Sequence, residues 1–318
     1  MTVLGKIRRS LFSASSSQAV FEQPGFAPEA WPRFHSVVES LLEGYHATLE
    51  DSRFEVLVPR LDAIEPELQG FAYEGAGMGL AALDCLAPWK NRVQAFVEGP
   101  AAPHIYPTYV GVGLALARLR RKPEPFFLKR LDPVLGWVAI DGYGFHEGFF
   151  ARRRTMEQKI VPSHLSSYAR RLFDQGVGRA IWFSNAAIAG RVVTVINSFP
   201  QGRQSDLWSG VGLACAYAGG ADAVTLEELC DLAKPYRFQL ARGAAVAAQG
   251  RLQANNLAPH TELACQIFCS LSSAEAARII NVTREDLPTG GSEPAYEIWR
   301  QRAQARFSAQ QEEGTYTL

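Results

Sequence analysis

Residues 141–150, DGYGFHEGFF, place Asp141, His146 and Glu147 within seven positions. An imidazole that titrates near neutrality, beside a carboxylate that holds its tautomer, is suited to proton transfer. Histidine is scarce, six in 318 residues, so this placement is conspicuous. Asp141 and His146 are five residues apart, about 140° around a helix, so they converge only if a helix begins between them. Asp141 would then hang over the helix N-terminus while His146 projects from the first turn. The non-catalytic reading makes His146 a core histidine bonded to a carbonyl and Asp141 a helix cap. Glu74 joins the candidates because EPELQGFAYEGAG (65–77) aligns with DPVLGWVAIDGYG (132–144), which sets Glu74 on Asp141.

That alignment is one instance of an internal repeat. FAYEGAGMGLAAL, TYVGVGLALARL, AIDGYGFHEGFF, FDQGVGRAIWF, LWSGVGLACAYA and QLARGAAVAAQ align without gaps on Gly75, Gly111, Gly142, Gly176, Gly210 and Gly243. The steps between these glycines are 36, 31, 34, 34 and 33 residues. TYVGVGLALA and LWSGVGLACA match over ten positions at a displacement of 99. A glycine inside a helix costs about 0.5–1 kcal/mol against alanine, so two per unit require a reason. They either open each helix or lie within it, where a neighbouring helix can approach closely. The second reading fits better, because the position four after the first glycine is small in five units: Gly79, Ala115, Ala180, Ala214 and Ala247. Positions i and i+4 share one helical face. The third unit breaks the rule with His146.

A unit of about 34 residues accommodates two helices and their turns. The expectation is a mainly α fold of roughly six units that stack as a solenoid or curl into a closed α/α ring. FEVLVP (54–59) and RVVTVINSF (191–199) are the only runs that read as strands, and the second also suits a buried helix. Three segments are expected. Residues 1–60 form a lead, mobile over its first twenty or so positions, and then an amphipathic helix. Residues 61–285 are the repeats, and 286–318 are a linker and a last helix.

Other departures mark candidate ligand contacts. Arg179 occupies a slot held elsewhere by Met78, Leu114, Phe145, Leu213 and Val246, with Asp174 and Arg171 nearby. It reads as an anion clamp or, more simply, a structural ion pair. Tyr143 replaces the Ala or Val found after the first glycine of every other unit. With Phe145, Trp182 and Trp208 it brings aromatic mass to the middle units, most of it core. Any cavity the units enclose would be apolar and aromatic, suited to a long hydrocarbon.

Thirty-two basic and thirty-two acidic residues cancel, which argues against a general nucleic-acid binder. The basic runs at Arg118–Lys122 and Arg152–Arg154 read as solvated helix faces. No apolar stretch reaches the length of a membrane span. Five cysteines in apolar surroundings suit reduced thiols in a cytoplasm. Cys265 and Cys269, one turn apart, have no partner pair for zinc. The glycine pairs lack the third glycine of a dinucleotide fold, and no phosphate loop, zinc-protease motif or nucleophile elbow occurs. No metal or cofactor is expected.

The segments FAYEGAGMGLAALD, YVGVGLALARL, LDPVLGWVAIDGYGFHEGFF, YARRLFDQGVGRAIWF, DLWSGVGLACAYAGG and HTELACQIFCSLSSAE cover most of residues 70–265. Through them the chain resembles a bacterial family of unknown function encoded within enediyne polyketide biosynthesis clusters. The resemblance implies a cytoplasmic role in making or maturing a polyene-derived natural product, alongside polyketide synthase pathway enzymes. It transfers no catalytic residues. Two classes of function follow. One is an enzyme that isomerises or cyclises a linear polyene or isoprenoid-like chain, with His146, Asp141, Glu147 and Glu74 moving protons. Tyr143, Phe145, Arg179, Trp182 and Trp208 would then hold the substrate. The other is a non-catalytic helical scaffold or carrier of an apolar chain.

Overall fold

The computed structural model describes residues 3–13, 31–126, 129–288 and 290–315. These form sixteen α-helices and, among the described residues, no strand. Both strand-like runs are helical: Phe54–Asp62 (α3) and Ala189–Asn197 (α10). Each helix turns one apolar face to the core, burying Leu57, Leu61, Val192 and Ile196 and leaving Val56 exposed. Tertiary burial outweighs the local β preference there.

The lead differs from expectation. Residues 3–12 form a helix, α1 (Val3–Phe12), docked on α2 (Trp31–Glu50). Arg9 pairs with Glu50, and the Tyr45 hydroxyl donates to the Phe12 carbonyl at 2.8 Å. The remainder of the expected mobile stretch, residues 14–20, lies outside the described residues.

Five helices carry a glycine pair, α4 (Pro66–Leu86), α6 (Ile105–Arg118), α8 (Val138–Phe150), α9 (Ser167–Ser184) and α11 (Gln201–Ala218), and a sixth, α13 (Arg237–Gln253), has Gly243 with Ala245 in the second place. Each packs on the next in chain order. The glycines lie inside the helices, and their purpose is close approach. A methyl at Gly176 would overlap the Asp141 carbonyl oxygen, and one at Gly178 would overlap that of Leu207. The same geometry recurs along the series. The first glycine receives a carbonyl of the preceding helix, and the second receives one of the following helix. Backbones this close are held by weak Cα–H···O contacts and dense packing.

The series also reaches back one helix further than the sequence repeat suggests. On α2, Gly44 meets the Ala72 carbonyl and the Leu41 carbonyl meets Gly75. Leu42 fills the first-glycine slot, which hides the likeness in sequence.

Shorter helices return the chain between these elements: α5 (Arg92–Val97), α7 (Pro123–Phe126), α12 (Ala223–Leu232), α14 (Pro259–Cys269) and α15 (Ser273–Thr283). The last helix, α16 (Ala295–Thr315), buries Tyr296, Trp299, Arg300 and Phe307 against the series. Early and late helices touch. Phe71 of α4 meets Tyr217 of α11 edge-on at 5.2 Å, and Arg251 of α13 donates to the Glu67 carbonyl at 3.2 Å.

Candidate functional site

The residue just before the first glycine faces inward in every glycine helix. These residues are Glu74, Val110, Asp141, Gln175, Ser209 and Arg242, five of them polar. The residue four further on lies on the same helical face. Arg179, Leu213 and Val246 occupy that position in α9, α11 and α13.

Seven of these nine, Glu74, Val110, Asp141, Gln175, Arg179, Leu213 and Val246, line a cavity of about 40 Å³ with Tyr106, Tyr217 and Tyr296. At roughly 10–15 Å³ per water, this holds about three waters, not a long chain. A smaller recess adjoins it, bounded by Gln175, Ser209, Arg242, Trp299 and Arg300.

Charge is concentrated around these spaces. Arg179 Nη1 donates to Asp141 Oδ1 at 2.6 Å, and Gln175 Nε2 donates to Asp141 Oδ2 at 2.8 Å. Both sides of that ion pair are buried. Arg179 also stacks over the Phe145 ring at 4.8 Å. Beyond Gln175, Arg300 bridges Asp206 and Glu297, and Arg171 bonds the same two carboxylates from the outside, at 3.0 and 2.6 Å. Arg242 is buried with one neutral acceptor, Gln304, at 3.3 Å. Burial and the Arg300 charge lower its pKa to about 9.

Glu74 is 2% exposed. Burial pushes its carboxyl up to about 7, with Arg179 drawing it down and the Asp141 charge pushing it up further. It is a carboxylic acid poised to exchange a proton near neutrality. Burial likewise lifts the Tyr217 and Tyr296 hydroxyls to about 12, so both remain neutral donors.

The residues named from sequence separate. Helix α8 begins at Val138, before Asp141, so the condition for Asp141 to meet His146 fails. Asp141 turns to Arg179. His146 lies on another face, with Nδ1 3.4 Å from Glu147 Oε1 and its ring 4.8 Å from Phe150. Neither His146 nor Glu147 lines the cavity. Glu74, Asp141 and Arg179 do come together there. Arg179 does not join Asp174 and Arg171 in one clamp, because Asp174 is held by Arg203 at 2.9 Å. Trp182 is core, its indole N–H donating to the Gly219 carbonyl at 3.0 Å, and Trp208 is buried likewise. Tyr143 packs 6.3 Å from Phe173, outside the cavity lining.

The sequence reading missed Gln175, Ser209, Arg242 and the three tyrosines. The polar series before each first glycine was a visible signal for the first three. Tyr296 had none, since it arrives from a separate helix.

A family model described as a protein of unknown function, DUF1702, matches residues 3–307. The chain belongs to this family. The match takes in α1 and most of α16, so the DUF1702 unit includes the helix that delivers Tyr296 and Arg300. No curated protein and no solved structure matches this DUF1702 chain. Among its described residues, no single helix is long and apolar enough to cross a membrane.

Proposed function

We propose that this protein is a proton-transfer enzyme that isomerises or cyclises a linear polyene or isoprenoid-like chain, with Glu74 as the proton-carrying group. The observation that carries this reading is a buried carboxyl at about 7, beside the Arg179–Asp141 pair on an interior cavity. Protonation of a C=C bond by the Glu74 carboxylic acid leaves a carbocation and a carboxylate. Return of a proton from a neighbouring carbon to that carboxylate shifts the double bond and restores the acid. No oxidant or reductant is consumed. Tyrosine faces offer π density to the cation, and Asp141 acts as a positioning residue through Arg179. The likeness to enediyne-cluster proteins supports a polyene as the chain. We read the contacts between early and late helices as an array that closes on itself around the cavity.

The cavity volume requires the apolar wall of Leu213 and Val246 to yield before any chain enters. That observation favours the scaffold half of the alternative reading, a non-catalytic helical scaffold for partner enzymes, over a carrier of an apolar chain. Product formation in a reconstituted pathway separates the two. Glu74→Gln should abolish product, while His146→Ala should retain it. Full product from Glu74→Gln, with circular dichroism unchanged, removes the enzyme reading and leaves the scaffold.

A further inference from the structure

The two basic runs, Arg118–Lys122 and Arg152–Arg154, take no part in the interior network. The fold brings them together with the N-terminal helix. Arg118 Nη2 donates to the Ser13 carbonyl at 3.1 Å, tying the end of α1 to the end of α6. Arg8 of α1 lies close enough to Arg92 for the two charges to repel. Arg130 Nη1 donates to the Pro88 carbonyl at 2.9 Å, beside Trp89. His164 feels the positive charges of Lys122 and Arg154 and, opposing them, the negative charges of Glu124 and Glu147. The C-terminal ends of α2, α4, α6 and α8 therefore share one cationic region.

Apolar side chains project outward from the same region. Ile7 and Leu11 lie one turn apart on α1, and Leu11 is 71% exposed. Leu86 and Phe150 are exposed at the ends of α4 and α8, and Trp89 stands 74% exposed just beyond α4. The carboxylates facing this region are Glu50, paired with Arg9 and Arg60, Asp51 with Arg53, Asp84 with Arg92, Glu147 beside His146, and Glu124, which accepts from the Ser166 N–H at 2.7 Å. The chain as a whole is neutral, so this is segregation of charge rather than surplus.

We propose that this end of the protein docks on an anionic lipid bilayer, with α1 lying in the headgroup region. A short helix with apolar residues flanked by Lys and Arg rests at that boundary, and tryptophan prefers the same depth. A nucleic acid would engage the basic side chains but leave Ile7, Leu11 and Leu86 in water. Each basic residue near an anionic surface contributes about five-fold in affinity.

Flotation of the full chain tests the proposal, using vesicles of phosphatidylcholine alone and vesicles containing phosphatidylglycerol. The chain should float with the anionic vesicles and be released by high salt. Leu11→Asp with Trp89→Ala should reduce binding at least about ten-fold, and so should Arg120→Glu with Lys122→Glu. The second pair is exposed and keeps the test decisive if the first pair perturbs folding. No flotation with anionic vesicles overturns the proposal. So does flotation of both variants equal to the parent, or salt-sensitive binding to duplex DNA without vesicle binding.

Discussion

Replacing Glu74 with glutamine should stabilise the protein at alkaline pH and leave it nearly unchanged in acid. Burial lifts the carboxyl from 4.5 to about 7, so the folded protein keeps its proton after the unfolded chain has released it. The stability associated with this group is complete below the ordinary pKa and falls as pH rises through about 7. The full loss is the pKa difference times 1.36 kcal/mol per unit, about 3 kcal/mol. Glutamine has the same shape and no charge to expose, so Glu74→Gln removes the loss. At about pH 8 the melting temperature should rise by roughly 5 °C, while near pH 4 the two proteins should melt together. Paired calorimetric scans at the two pH values measure this directly. A difference of equal size at both, or a lower melting temperature for the variant in alkali, refutes the argument that Glu74 is buried without full compensation.

Gly176→Ala should cost about 3 kcal/mol or more in denaturant unfolding, because the methyl meets the Asp141 backbone, which cannot give way as a side chain would. Gly190→Ala, where nothing lies within 4 Å, should instead stabilise α10 by up to about 1 kcal/mol. Arg179→Met leaves the Asp141 charge buried without its partner and should cost about 3–5 kcal/mol. Adding Asp141→Asn to that variant should recover part of the loss in the same unfolding assay. His146→Ala, at a partly exposed side chain outside the cavity, should change stability by less than about 1.5 kcal/mol in thermal melts.

The mainly helical architecture is readable in the sequence because the glycines recur every 31 to 36 residues, and a small residue follows on the same face in most units. That pattern encodes backbone approach, a local requirement written into every unit. The first member of the series escaped because Leu42 replaces its first glycine and only Gly44 remains. His146 drew attention by breaking the small-residue face, but that face meets a neighbouring helix. The chemistry collects on another face, at the position before each first glycine. Asp141 stands out in the same stretch as His146 and Glu74 aligns with it, while Gln175, Ser209 and Arg242 occupy the same slot without sharing a residue type. The pairing of Arg179 with Asp141 across 38 residues, rather than with nearby Asp174, depends on helix-to-helix register that no local spacing records. Tyr296 and Arg300 enter from α16, outside the repeat altogether.

Above all, Glu74 should hold a proton inside the helix array near neutral pH. Infrared difference spectroscopy across a pH titration reads it directly. The carbonyl band of a protonated carboxylic acid should persist until about pH 7 and be missing from Glu74→Gln. Loss of all such absorption in the parent protein by about pH 5, or an identical band in the variant, would contradict it.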